Sequence, residues 1–392
     1  MDWGLGHATR CIPVIREFLS RGCEVQIASS GDALVLLKQE FPVLKFHQMI
    51  SYRAKYSLWL PLMFKMILQL PKFLSAIKKE HDELEQIIDK EKIDFVVSDN
   101  RYGCWSSKIP SVLITHQVNI LMSPAWKWLE WIINYGNHRQ IKKFSECWVP
   151  DFLNGITGGL TSLRGRPDQS LPARTVRQAG NPHLNGDCFA NACPAEAAPS
   201  RRVRAKGIPL DNDGRITIKF IGMLSRFKKM NLPMKYDVLA LVSGPEPQRT
   251  IFESEIKKQL ASSSLNYFIV KGKPNSFEKS KNETDHLNSR ELNAMIESST
   301  IIIARSGYTT IMDICKLGKK AIFIPTPGQT EQEFLAIELK RKGIVFSESQ
   351  KKFNLSIALS ESKKYKGFDG FPSSPNLLAD AINTLLISKP NL

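Results

Sequence analysis

Between residues 12 and 19 the apolar side chains Ile12, Val14, Ile15, Phe18 and Leu19 recur at the spacing of one helical face. The run closes at Arg21-Gly22, where glycine supplies the left-handed residue that ends many helices. Short continuous apolar runs and helical patterns then alternate: strands are predicted at 24–29, 93–98, 111–115 and 146–149, and helices at 32–40, 61–77, 82–90 and 126–143. A second series follows, with strands at 218–222, 238–242, 266–271, 300–304 and 321–324, a helix ending near 260, helices opening after 306 and 328, and a terminal helix at 377–386. Continuous apolar strands separated by helices are the mark of parallel sheets buried on both faces. The predicted fold class is therefore α/β, with two doubly wound Rossmann-like domains at 1–153 and 216–392. The segment 154–215 differs from both: no lysine lies between Lys143 and Lys206, arginine, alanine, glycine and proline dominate, and periodic apolar residues are few. It reads as an insertion or linker.

Candidate chemistry gathers where strands end. Ser306-Gly307 follows a buried strand and opens a helix, so free backbone N–H groups and the positive end of the helix dipole face the place where phosphates bind. Asp313 falls in the second turn of that helix, within reach of ribose hydroxyls. The next strand runs into Pro325-Thr326-Pro327-Gly328, a stiff turn that leaves Gln329, Thr330, Glu331, Gln332 and Glu333 in the first turns of a helix, suited to sugar hydroxyls. At the other end, Gly4-Leu5-Gly6-His7 is a glycine-rich turn; a dinucleotide fingerprint is the competing interpretation, but His7 and Arg10 replace its spacing and no acidic residue ends the second strand. His7 is a candidate general base, or else a partner of the turn or of donor phosphates. Asp99 and His116 sit at strand C-terminal ends, where open α/β sheets bind ligands; Asp99 either orients His7 or caps a helix.

The stretch Ala304 to Ala336 resembles the nucleotide-sugar half of GT-B glycosyltransferases, particularly glycosyltransferase family 28, which includes the bacterial peptidoglycan N-acetylglucosaminyltransferase. The resemblance implies that Ser306 and Gly307 hold a uridine diphosphate, that Asp313 binds ribose, and that Gln332 and Glu333, with Gln329 beside them, contact the donor sugar. Glu333 departs from the paired glutamines usual in the family. Ser243-Gly244, followed by Pro245, Pro247 and Arg249, resembles the family's first phosphate loop and makes Ser243, Gly244 and Arg249 diphosphate candidates, although the prolines remove N–H donors. The Gly4 to His7 turn resembles the one that starts the acceptor domain, with Gly4, Gly6 and His116 on the acceptor side, and the pair His7 and Asp99 resembles the His-Asp pair of glycosyltransferases acting on small molecules. The implied activity is transfer of a hexose from a nucleotide diphosphate donor, expected to be uridine-linked, to a hydroxyl acceptor, without metal or cofactor. The alternatives are a nucleotide-sugar 2-epimerase and a non-catalytic sugar-nucleotide binder.

Composition adds a partner. The formal charge is +16, and between Tyr52 and Lys79 basic residues alternate with Trp59, Phe64, Leu68 and Phe73, too apolar for a solvated arm and too charged for a span. An amphipathic helix in the interface of an anionic membrane fits that pattern, part of the stripe serving as core, and Trp126, Trp128 and Trp131 beside Lys127 add headgroup-seeking aromatics. A lipid-linked or other hydroxyl acceptor is expected there; no nucleic-acid motif emerges. Seven cysteines without CxxC spacing and the lack of a signal-peptide pattern place the expected site at the inner face of the cell membrane, in a reducing cytoplasm, and argue against zinc. Only Met1-Asp2-Trp3 precede the first turn, so a first strand is expected to be missing and the chain to be weakly active as it stands.

Overall fold

The computed structural model describes residues 5–50, 62–122, 124–152, 155, 218–273, 276, 278–371 and 376–387, with backbone alone at 5, 62–71, 124 and 125. The N-terminal helical spacing is realised as α1 (Leu5–Leu19). Beyond its last turn Gly22, at φ 75°, closes the helix: the N–H of Cys23 donates to the Phe18 carbonyl (3.2 Å) and that of Gly22 to Leu19 (3.0 Å), satisfying carbonyls the helix leaves unpaired. The chain continues through β1 (Gln26–Ser29), α2 (Gly31–Glu40) and β2 (Lys45–Gln48), and β1 pairs with β2 in parallel. A long helix, α3 (Leu62–Glu91), precedes β3 (Val96–Asp99) and β4 (Ser111–Ile114); then come a 3-10 turn (Pro124–Leu129), α4 (Glu130–Ile141) and β5 (Glu146–Val149). The two helices expected at 61–77 and 82–90 are one, because Lys78, Lys79, Glu80 and His81 carry no residue that breaks a helix.

After 217 the strand β6 (Ile218–Phe220) pairs with β5 and closes a four-stranded parallel sheet in the order β3-β4-β5-β6. The strand expected at the head of the second domain thus belongs to the sheet of the first. The second domain runs β7 (Tyr236–Leu241), α5 (Gln248–Ala261), β8 (Tyr267–Val270), β9 (Glu283–Thr284), α6 (Ser289–Glu297), β10 (Ser299–Ala304), α7 (Tyr308–Lys316), β11 (Lys320–Phe323), α8 (Thr330–Arg341), β12 (Phe346–Ser347) and α9 (Leu355–Ser362). Its strands form one parallel sheet, β12-β11-β10-β7-β8-β9. Alternation divides the strand residues between two cores: Leu239, Ile302 and Phe323 pack on one face with α7, and Val238, Ile303 and Ile322 on the other with α5 and α9. From β7 the chain builds outward to β9, then returns to β10 on the other side of β7 and builds outward again. The crevice between the C-terminal ends of β7 and β10 is consequently the switch point of the sheet.

The last helix, α10 (Leu377–Ile387), returns to the first domain, where Ala381, Ile382 and Leu385 pack against Val14, Phe18 and Trp148. The first domain also holds a cavity of about 330 Å³ between β1 and β3, which belong to separate sheets. Four expectations lie outside the described residues: Gly4, any strand before it, the insertion at 154–215 apart from Gly155, and the side chains of the basic-apolar stretch up to residue 71. Among the described residues no helix is long and apolar enough to cross a membrane.

Candidate functional site

The switch point is built from three strand ends. Leu241 of β7 leads to Ser243-Gly244, Ala304 of β10 to Arg305-Ser306-Gly307, and Phe323 of β11 to the turn at Thr326. Gly244 has φ 113°, a conformation that L side chains rarely adopt, and a Cβ there would stand 3.5 Å from the Thr326 hydroxyl, so the β7 and β11 turns approach closely. Gly307 is the N-cap of α7 with no side-chain cap bond, leaving the first N–H groups of the helix directed at the crevice. The Ser306 hydroxyl donates to the Gln332 carbonyl (2.7 Å), fastening the head of α8 beside it.

Beneath these turns lies Arg305, which is 1% exposed. Its guanidinium donates to the carbonyls of Ile324, Pro325 and Gln248 at 2.9–3.1 Å and to Gln350 Oε1 at 2.6 Å, and its carbon lies 4.1 Å from the centroid of the Phe252 ring. Burial pulls its pKa down to about 10, so it remains a cation at neutral pH and ties together the three loops around the crevice. Arg249 is directed elsewhere: it pairs with Glu246 and Glu253 and donates to the Lys271 carbonyl (3.2 Å). Gln332 accepts from the Thr326 N–H (2.9 Å) and donates to Gln329 Oε1 (2.5 Å), while Glu333 accepts from the Gly328 N–H (2.9 Å). These three side chains brace the proline turn.

Asp313 sits apart from the crevice. Its carboxylate accepts from the Ser225 hydroxyl (2.6 Å) on the segment that enters the second domain, and burial raises its pKa to about 6 despite the nearby Arg226 charge.

The cleft between the domains carries a second constellation. Asp99, at the end of β3, accepts from Arg10 Nε at 2.8 Å on both oxygens and from Arg10 Nη2; His7 Nδ1 stands 3.3 Å away. Arg10 Nη2 lies 2.8 Å from His7 Nδ1, and Arg10 Nη1 donates to His116 Nδ1 (2.7 Å). His116 Nε2 then meets Glu331 of α8 at 2.9 Å, and Gln117 donates to the other Glu331 oxygen. The His116 ring stacks on Tyr308 at 4.0 Å, Tyr308 donates to the Pro150 carbonyl, and Thr309 donates to the Gly6 carbonyl (3.2 Å). Gly6 leaves room for that contact, since a Cβ would stand 3.0 Å from the Thr309 hydroxyl and press on it.

Charge follows this geometry. Burial, then the Arg10 cation, pushes His7 down to about 4, so it is neutral at physiological pH. Burial works against the charge of Asp99, yet Arg10 and His7 hold it well below the usual carboxylate range; Glu331, also opposed by burial, is lowered by His116. A permanently charged Arg10 donating to Nδ1 makes that atom an acceptor and leaves the proton on His7 Nε2. Donation from Nδ1 to Asp99 instead frees Nε2 as a base. The Arg10 contact is the shorter by 0.5 Å (2.8 against 3.3 Å).

The structure therefore brings together His7, Asp99, His116 and Gly6 in the cleft, and Ser243, Gly244, Ser306 and Gly307 at the switch point. Sequence reasoning assigned no role to Arg10, Arg305, Tyr308, Gln117 or Ser225. Arg10 carried one signal, its place three residues after His7 on a single helical face. Among the described residues no group of His, Cys, Asp and Glu is arranged to hold a metal ion.

Residues 249–364 match the glycosyltransferase family 28 C-terminal domain. A curated relative, an uncharacterized glycosyltransferase of Methanosarcina acetivorans, is 25% identical over 356 residues, covering 87% of this chain and 82% of its own. Among solved structures, the kitacinnamycin glycosyltransferase aligns with TM-score 0.53 at 15% identity, over 98% of this chain and 92% of the other. The glycosyltransferase SnogD from Streptomyces nogalater aligns with TM-score 0.53 at 13% identity, over 99% and 94%. Their shared fold is GT-B.

Proposed function

From the premise that this chain is a GT-B glycosyltransferase with a family 28 type second domain, we propose that it transfers a sugar from a nucleoside diphosphate donor, uridine-linked, to a hydroxyl acceptor at an anionic membrane surface. The observation that carries the donor half is the uncapped N-terminus of α7 at the switch point, flanked by Gly244. Diphosphate seated there meets backbone N–H groups, and the Arg305 cation buried beneath the turns adds a positive field that stabilises it as it leaves. The α8 turn bearing Gln329, Gln332 and Glu333 faces the sugar, while Asp313, held by Ser225 away from the crevice, braces α7.

The acceptor enters the cleft at His7. With Nδ1 accepting from Arg10, Nε2–H donates to a donor oxygen and assists departure. The 3.3 Å contact with Asp99 favours a second reading, in which Nε2 takes the proton of the acceptor hydroxyl. Titration calorimetry over a panel of nucleoside diphosphate sugars, paired with turnover of parent and His7→Ala, tests both. Binding of a uridine diphosphate sugar above its guanosine and thymidine counterparts is the expected result, and absence of binding by every donor overturns the proposal. A parallel fall of affinity and turnover in His7→Ala assigns His7 to the donor. A fall in turnover of about 100-fold or more with affinity kept assigns it as base.

A further inference from the structure

One imidazole at the domain seam touches both helices that build the donor crevice. The edge of His116 meets Glu331 in the first turn of α8, and its face lies on Tyr308, the first residue of α7. Two neighbouring bonds knit the same seam: Gln117 donates to the second Glu331 oxygen, and the Thr330 hydroxyl to the Leu121 carbonyl (3.3 Å). The bond from His116 to Glu331 exists in only one state of the ring. A carboxylate accepts hydrogen bonds, so Nε2 must carry a proton; with the proton on Nδ1 instead, two lone pairs would face each other at 2.9 Å. What places the proton is Arg10. Its side chain is 2% exposed and its fork is spread over three acceptors, Asp99, His7 Nδ1 and His116 Nδ1. A guanidinium has five N–H donors, no acceptor and a permanent charge, so the His116 nitrogen 2.7 Å from it presents a lone pair.

We propose that Arg10 is a positioning residue for the donor site of the other domain: by keeping the His116 proton on Nε2 it clasps Glu331 and fixes the head of α8 beside that of α7. This role rests on the reading that a diphosphate binds at the switch point. Ser306 at that point donates to the carbonyl of Gln332, the residue after Glu331, so the placing of Glu331 is felt where the phosphates sit. Charge acts in the same direction. A carboxylate left loose at the head of α8 would add negative charge beside the diphosphate and repel it. Held by His116 and Gln117, that carboxylate is turned to the first domain. Arg10 stands on the first domain with Asp99 and the two histidines, and its influence on the donor passes through two hydrogen bonds and one ring.

Nitrogen NMR on the chain with isotope-labelled histidine, its signals assigned by His7→Ala and His116→Phe, gives the first test. The His116 ring is expected in a single form, Nδ1 bare and Nε2 protonated, and Arg10→Lys, which replaces the fork by one charged donor, is expected to populate the other tautomer. A proton on Nδ1 in the parent, or an unchanged ring in Arg10→Lys, overturns the proposal. The second test is a double-mutant cycle read by titration of uridine diphosphate, with melting midpoints alongside. Glu331→Ala, which removes a side chain already 27% exposed, and Arg10→Lys are each expected to weaken binding about tenfold, and the double variant to bind no more weakly than Glu331→Ala. His116→Phe keeps a ring on Tyr308, removes both hydrogen bonds and is expected to match Glu331→Ala; it takes the place of Arg10→Lys in the cycle should that variant not fold. Costs that add would mean that Arg10 acts through His7 and not through the clasp, and unchanged affinity in Glu331→Ala would mean that the clasp serves the fold alone; either overturns the proposal. If the parent binds no uridine diphosphate, the donor reading falls, and the ring signals still decide whether Arg10 sets the clasp.

Discussion

Asp313 illustrates how burial decides what one residue does. Its pKa of about 6 lies above that of an ordinary aspartate near 3.8, so the folded state resists its ionisation. The stability it contributes is complete below 3.8 and is lost as pH rises through 6, by about 3 kcal/mol at most. Asp313→Asn keeps an acceptor for Ser225 and removes the charge. Its melting midpoint should match the parent at pH 3.5 and exceed it at pH 8, and a gap that fails to open with rising pH would refute this account of the carboxyl. The turns after β7 and β10 were legible in the sequence because glycine and serine directly after a buried apolar run mark a strand-to-helix turn. Side-chain partners were not. Arg10 between His7 and Asp99, and Glu331 against His116, depend on contacts across 89 and 215 residues that no local pattern encodes.

At the scale of elements, periodicity served well wherever the core imposed it. Buried strands such as β10 declared themselves as runs of isoleucine, whereas β2, with the sequence KFHQ and no buried residue, gave no signal. The helix end at Gly22 was legible because a positive φ at that position is nearly a glycine property. Gly22→Ala, with open space around the added methyl, should therefore destabilise only through the backbone, by about 1 kcal/mol in urea unfolding. A neutral result would mean that the α1 terminus does not rely on the left-handed residue.

For the whole molecule, exposed surface matters more than pattern. On the 3-10 turn and α4, Trp128, Trp131, Ile132 and Tyr135 are all exposed, with Lys127 and Arg139 nearby on the same stretch. An apolar patch flanked by basic residues on a chain of charge +16 fits an anionic bilayer. Flotation with anionic vesicles should show binding that weakens with salt, and Trp128→Ser with Trp131→Ser should reduce it about tenfold; equal flotation would remove this patch from the membrane account. The division into two Rossmann-like units was legible from the alternation of strands and helices, but the place of β6 was not, since a three-residue strand takes its sheet from the partner it meets.

The central claim is that a diphosphate binds at the switch point, over the head of α7. Gly307 has an ordinary extended conformation, φ −69° and ψ 139°, and an added Cβ would find its nearest neighbour at 3.9 Å, so Gly307→Asp fits the fold and supplies a favourable N-cap carboxylate. The same carboxylate occupies the place of the phosphate and repels it. Titration of uridine diphosphate into parent and variant, with melting midpoints measured alongside, should show affinity falling at least tenfold while the midpoint is kept or raised. Equal affinity in a folded Gly307→Asp chain would contradict the account.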